Sequence, residues 1–175
     1  MEHVLDVKKL VNELTLEEKA SLCSGADFWH TKAIDRLNIP AAMVSDGPHG
    51  IRKQESLADH MGVAESIKAI GFPTASAMAC SFDRDLLHKV GDALGEECVA
   101  EDLAVLLGPG INMKRSPICG RNFEYYSEDP VVAGELGAAF VNGVQEHGVG
   151  TSLKHFAANN QEWRRMSISA EIDER

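Results

Sequence analysis

The stretch Leu103-Ala104-Val105-Leu106-Leu107-Gly108-Pro109-Gly110 (LAVLLGPG) stays apolar until a glycine–proline–glycine turn stops it. A short run with no polar alternation predicts a strand buried on both faces, the hallmark of a parallel sheet. Three other runs read the same way with varying strength. Ile39-Pro40-Ala41-Ala42-Met43-Val44 ends abruptly at Ser45-Asp46-Gly47-Pro48, and residues 150–153 lead into Lys154-His155. Ala75-Ser76-Ala77-Met78-Ala79 is rich in small residues and only moderately strand-like. Helical patterns separate several of these runs. Leu86, Leu87, Val90, Leu94 and Cys98 recur at spacings of three and four, which predicts a helix over 83–100. Asp129-Pro130 pairs an N-cap with a proline at the first helical position. Leu136, Phe140 and Val144 then form a stripe that Gly148 closes. Thr15-Leu16-Glu17-Glu18 has the form of a capping box and predicts a helix over 16–22. Strands alternating with helices imply right-handed βαβ units and an α/β fold. No repeat, low-complexity tract or linker interrupts the chain, so residues 1–175 read as one domain.

The composition narrows the function. At 175 residues the chain can bury a real core but is short for the larger enzyme architectures. Hydrophobic content of 44% and charged content of 25% are those of a globular protein. A net charge of -10 argues against nucleic acid or an anionic membrane as partner, because phosphate binding needs a basic face. A neutral, polyhydroxylated ligand is fully compatible with it. Cys23, Cys80, Cys98 and Cys119 contain no C-x-x-C pair and are too sparse for a disulfide framework. Three of them sit in apolar or Gly/Ser surroundings, so reduced core or near-core thiols are expected and no zinc site follows. The N-terminal MEHVLDVKKLVNELTLEEK is charged throughout and lacks the apolar centre of a signal peptide. No segment approaches the ~20 apolar residues of a membrane span. The expected location is cytoplasmic.

Each apolar run ends in polar or glycine-rich residues, and in parallel α/β folds sites assemble at the C-terminal strand ends. Asp46 in SDGPHGIR, taken alone, reads most simply as a turn aspartate, and Arg52 six residues on adds little. His49 reads as a loop residue. GPGINMKRSPICGRNFEYYSEDP gathers Lys114, Arg115, Arg121, Glu124, Glu128 and Asp129. An ion-paired surface loop explains them, yet long glycine-punctuated loops in compact domains tend to be functional, and Phe123, Tyr125 and Tyr126 argue against disorder. Glu128 is a candidate to cap the next helix or to pair with Arg121. For Lys154-His155 a base, a metal ligand, a phosphate clamp and a sugar-binding pair are all open. The seven histidines are scattered with no H-E-x-x-H, and GPGINMK lacks P-loop spacing. Neighbours on a strand point to opposite faces, so both reach one ligand only where the strand has ended. The plainer arrangement, one side chain buried and one solvated, fits the dipeptide equally well.

Together, SDGPHGIR, FPTASAMACSFD, GPGINMKRSPICGRNFEYYSEDP and KHFAANNQE, in this order and spacing, resemble glycoside hydrolase family 3, β-glucosidase branch, over about 14–175. The third motif is the specific one. The resemblance implies a (β/α)8 TIM-type barrel, of which residues 1–175 would be the incomplete first half, about four strands with intervening helices. It implies a retaining β-glucosidase acting on terminal non-reducing β-D-glucosyl residues of a β-glucoside or short oligosaccharide, with no cofactor and no metal. Substrate-binding roles carry over to Asp46, Arg121, Lys154 and His155, and to Arg165 at the border of the same −1 subsite. The family's nucleophile lies in a downstream serine-aspartate-tryptophan-like motif and its acid usually in a second domain. The chain reaches Ser169-Ala170-Glu171-Ile172-Asp173-Glu174-Arg175 before either, so no catalytic carboxylate is expected here and the chain alone is expected to be inactive. Ser45-Asp46-Gly47 does not substitute, since its context matches the binding aspartate. The N-acetylhexosaminidase branch, with K-H-F-P-G and an Asp-x-His dyad, is set aside because Phe156 is followed by Ala157-Ala158-Asn159. A non-catalytic sugar-binding or regulatory fragment is the alternative, and glucosidase is not separated from xylosidase. Half a barrel would expose strand edges and apolar surface, so self-association or pairing with the missing half is expected.

Overall fold

Local signals build most of the helices in the computed structural model, which describes residues 6–54 and 65–174. After α1 (Val7–Glu13), the Thr15 hydroxyl accepts from Glu18 N while Glu18 accepts from Thr15 N, a complete capping box that starts α2 (Leu16–Leu22). Asp83 accepts from the amides of Asp85 and Leu86 to begin α4 (Arg84–Ala100). Asp129 does the same for Val131 and Val132 at α5 (Pro130–Gln145), with Pro130 in the first turn. Each such cap contributes about 1 kcal/mol.

The sheet is parallel, in the order β1 (Val44–Asp46), β2 (Val105–Leu107), β3 (Gly150–Thr151). Val44 pairs with Val105 and Asp46 with Leu107, and Val105 pairs in turn with Gly150. The stretch at 103–110 is therefore the central strand, with Leu106 fully buried and its two strand neighbours half-covered. The run at 75–79 corrects the expected count: it is a helix, α3 (Ala75–Ala79), so the described sheet has three strands. The reason is local. Alanine, serine and methionine have no β-branch or ring to favour a strand, and the Thr74 side chain caps the segment through Ala77 N. Ala75, Met78 and Ala79 then pack with Leu87, Tyr126, Ala133 and Leu136.

α4 and α5 lie against the sheet and against each other. Leu94, Cys98, Phe140 and Val144 are fully buried around Leu106. Small residues let the two helices approach: a Cβ at Gly91 would lie 2.2 Å from the Phe140 carbonyl oxygen, and one at Gly143 2.2 Å from that of His88. His147 to Asp92 (2.6 Å) and His88 to Glu146 (3.0 Å) tie the same seam at its surface. The cysteines depart from the expected distribution. Cys98 and Cys119 are buried, whereas Cys23 and Cys80 are exposed, and all four are free. Burial pushes the Cys98 thiol up to about 11. Among the described residues, no helix is long and apolar enough to cross a membrane.

The close approach makes a directional prediction. Gly91→Ala should destabilise the fold by about 1–3 kcal/mol through overpacking, although alanine is the better helix former. Gly134→Ala, where an added Cβ meets nothing within 4 Å, should instead stabilise it by about 0.5–1 kcal/mol. Thermal denaturation of the two variants should give melting temperatures on opposite sides of the parent's.

Candidate active site

The site grows from the three strand ends. Asp46 is the last residue of β1, and its carbonyl accepts from Arg52 N at 2.9 Å to close a turn in which Gly47 (φ +123°) and Gly50 (φ +132°) hold conformations open to glycine. Past β2, Gly110 forms parallel bridges to both Tyr125 and Lys154. Lys154 N donates to Pro109 O and Ile111 N to Lys154 O, so the Gly-Pro-Gly segment carries the β2–β3 pairing beyond the strands. A Cβ at Gly110 would lie 2.7 Å from Glu124 O. Only a glycine lets the segment holding Arg121 and Glu124 come this close. The Gly108–Pro109, Lys154–His155 and Phe156–Ala157 peptides are cis.

Four of the five expected site residues meet in one network. Lys154 Nζ donates to Asp46 Oδ1 at 2.6 Å and lies 3.7 Å from Glu124 Oε2. Arg121 Nε donates to Glu124 Oε1, Arg121 Nη2 to His155 Nε2 at 2.8 Å, and Arg121 Nη1 lies 3.8 Å from Glu162 Oε1. Arg165 stands one step out: its Nη1 is 3.2 Å from Glu162 Oε2 and its side chain is 58% exposed. Asp46, Arg121 and Lys154 line a cavity of about 270 Å³ together with His49, Arg52 and Phe123. A larger cavity of about 500 Å³ lies beyond Asn122, lined by Lys114, Ser76 and Tyr126. There Lys114 Nζ donates to Ser76 Oγ at 2.6 Å, and burial lowers its pKa.

The hydrogen bonds set the protonation of His155. A guanidinium only donates, so Nε2 accepts and the ring proton sits on Nδ1, donating to the Tyr125 hydroxyl oxygen at 2.8 Å. Asn159 donates to that same oxygen at 2.7 Å. Asn112 clamps the His155 backbone from both sides, its Oδ1 accepting from His155 N and its Nδ2 donating to His155 O. Burial, then the Arg121 charge, holds His155 below the ordinary 6.5. Burial likewise lowers His49, which lies in the loop after β1 and whose Nε2 accepts from Ala75 N. Burial pushes the Asp46 carboxyl up, but the Lys154 hydrogen bond and charge outweigh it and leave the group below its usual range. For Arg121 burial works against the charged form, and Glu124 more than restores it. Burial pushes Tyr125 up to about 12.

Two sequence readings change here. Glu128 is exposed and takes neither proposed role: Asp129 caps α5, and Arg121 pairs with Glu124 and Glu162. Glu124, Tyr125, Asn112, Asn159 and Glu162 belong to the network although the sequence did not mark them out as site residues. The dense polar character of 154–162 was the available signal for the last two. Among the described residues no group of three or more His, Cys, Asp or Glu is placed to hold a metal ion. The site offers paired donors and acceptors for hydroxyl groups on a concave surface.

Comparison with known proteins agrees with this geometry. Residues 11–163 match the family model for the glycosyl hydrolase family 3 N-terminal domain. The chain is 58% identical over 171 residues to the thermostable β-glucosidase B of Acetivibrio thermocellus, covering 98% of this chain and 23% of that protein. It is 52% identical over 166 residues to the exo-α-(1→6)-L-arabinopyranosidase of Bifidobacterium longum, covering 94% of this chain and 22% of that protein. The crystal structure of the Bifidobacterium adolescentis GH3 β-glucosidase superposes with a TM-score of 0.83 at 52% identity, over 94% of this chain and 23% of that one. The β-glucosidase of Kluyveromyces marxianus in complex with glucose gives 0.82 at 44%, over 90% and 18%. The chain thus spans less than a quarter of the length of these relatives. Its parallel strands and packed helices share the α/β fold of the TIM-barrel N-terminal domain of those enzymes. The chain belongs to glycoside hydrolase family 3, within its N-terminal domain.

Proposed function

We propose that this chain is the sugar-gripping N-terminal part of a retaining β-glucosidase that releases terminal non-reducing β-D-glucosyl residues. One observation carries the reading: Asp46, Arg121, Lys154 and His155, distant in sequence, converge at the C-terminal strand ends in one network of hydrogen bonds and ion pairs. The likeness to proteins named β-glucosidases, one of them solved with glucose, supports it. In this reading a pyranose lies in the Asp46 cavity, its hydroxyls accepting from Lys154 and Arg121 and donating to Asp46. Bonds to charged groups are roughly twice as strong as neutral ones, and those that tighten as the ring flattens favour an oxocarbenium-like transition state. Arg165 borders this subsite through Glu162. Asp46, Glu124 and Glu162 each pair with Lys or Arg, which suits them to binding and orientation, so we assign the nucleophile and the acid to carboxylates outside residues 1–175. In this reading β3 would be followed by the remaining barrel strands, while the outer edge of β1 is already met at Val44, whose N–H donates to Trp29 O.

The arabinopyranosidase relative at 52% identity favours a second substrate, an α-L-arabinopyranoside, whose ring lacks the hydroxymethyl arm of glucose. Side-by-side assay of the full-length protein on aryl β-D-glucoside and aryl α-L-arabinopyranoside decides between them. On the preferred one, Asp46→Ala should lower kcat/KM by about 100-fold, the loss of a charge-assisted hydroxyl contact plus the loss of the carboxylate that hydrogen-bonds Lys154. Residues 1–175 alone should release no leaving group above a Lys154→Ala control; clear turnover would overturn the assignment of the catalytic carboxylates. Saturable heat with gluconolactone but no turnover by the full-length protein would indicate a sugar-binding module instead.

The network also requires a neutral His155, since a second ring proton would face the Arg121 guanidinium. A histidine whose folded-state pKa is depressed contributes stability that is complete above its unfolded value of 6.5 and is lost as pH falls through the lower folded value. His49 contributes with the same sign. Denaturant titrations should therefore show stability dropping as pH falls below about 6.5, with a smaller drop in His155→Gln. An unchanged slope in that variant would show that His155 carries no such burden.

A further inference from the structure

Glu124 is the carboxylate of this network most withdrawn from solvent. Its side chain is 7% exposed, against 24% for Glu162 and 43% for Asp46. Both of its oxygens are engaged by cations, Oε1 by Arg121 Nε and Oε2 by Lys154 Nζ at 3.7 Å. Its backbone is equally constrained. Glu124 closes the 3-10 turn Asn122–Glu124, and its carbonyl lies over Gly110, the residue that bridges to Tyr125 and Lys154. Lys154, Arg121 and Glu124 itself all line the same cavity. Two cations converging on one small cavity repel each other unless an anion lies between them, and Glu124 occupies that position. Through Lys154 it also bears on Asp46, and through Arg121 on His155. Glu162 does not duplicate the role: it lies 3.8 Å from Arg121 and sits closer to Arg165.

We propose that Glu124 is the positioning residue of the site: its buried carboxylate holds Arg121 and Lys154 side by side, facing the cavity, and acts through them. A buried carboxylate that lost either partner would be left uncompensated, so the pairing constrains the cations as firmly as the cations constrain it. The inference rests on the reading of the cavity as a pyranose subsite and adds to it the group that sets the register of the donors.

The test uses the full-length protein with two variants, Glu124→Gln, which keeps the shape and removes the charge, and Glu124→Asp, which keeps the charge on a shorter arm. Each is assayed for kcat and KM on an aryl β-glucoside and on its monodeoxy analogues, each lacking one ring hydroxyl. Glu124→Gln should lower kcat/KM by about 100-fold, the scale of a misplaced positioning contact. Glu124→Asp should recover about tenfold of that loss. The decisive readout is the deoxy series. Removing the hydroxyl that Arg121 or Lys154 grips costs the parent enzyme heavily, and that cost should shrink about tenfold in Glu124→Gln because the donors are no longer in register. A merely structural role would lower the amount of active protein and leave the deoxy costs untouched. Unchanged deoxy costs, or a Glu124→Gln rate within about threefold of the parent, would overturn the proposal. If Glu124→Gln does not fold, the deoxy costs of Glu124→Asp decide in the same way. A parent that cleaves no glycoside and gives no heat with gluconolactone overturns the subsite reading and this inference with it; an active parent with unchanged costs overturns this inference alone.

Discussion

A carboxylate kept from water is expensive, and the Glu124 side chain is held at 7% exposure because Arg121 and Lys154 meet it there. Much of the architecture around the cavity can be read as the means of arranging that meeting. Lys154 has to follow a strand that pairs with β2, and Arg121 has to arrive on a turn that crosses the end of β2. Gly110 has to be bare for the turn to lie close enough. The parallel register of β1, β2 and β3 then delivers Asp46 to the other side of Lys154. The chemistry of the site is thus a property of the sheet's edge-to-edge order as much as of its side chains.

The helices serve this arrangement from behind. α4 and α5 meet at Gly91 and Gly143 and cover the sheet with Leu94, Cys98, Phe140 and Val144. A backbone held at that distance has little freedom to slide, so the strand ends it supports keep their relative heights. α3 adds a second brace: Ala75 N donates to His49 in the turn after β1, and Ser76 Oγ donates to the carbonyls of Asn122 and Tyr125. The helix that replaced the expected strand therefore fastens both loops that feed the cavity.

What could be read from the sequence divides along the range of the interactions. Caps at Thr15 and Asp129 depend on neighbours three residues away or fewer, and both were legible; the cap at Asp83 is as local but went unread, its helix being found from apolar spacing. The central strand was legible from its unbroken apolar run and its Gly-Pro-Gly stop. The segment 75–79 was misread because an apolar run of five small residues looks alike in either conformation, and only the Thr74 cap and the absence of β-branched residues decide it. Lys154 and Asp46 meet across 108 residues, and Asn112 and His155 across 43. No spacing rule reaches that far: the grouping of Lys154 with Asp46 came from the family resemblance, and that of Asn112 with His155 was not found. The supporting residues Glu124, Tyr125 and Asn112 carry side chains common in any loop, and only the fold reveals what they hold.

The charges at the site form a connected string that alternates along its length: Asp46, Lys154, Glu124, Arg121, Glu162, Arg165. Three anions balance three cations within a chain whose overall charge is -10. Such a string presents strong local dipoles with almost no net field at a distance. Mobile ions screen over about 8 Å at physiological ionic strength, and here there is little monopole for them to screen. An uncharged ligand should therefore be gripped with nearly the same strength in dilute buffer and in brine.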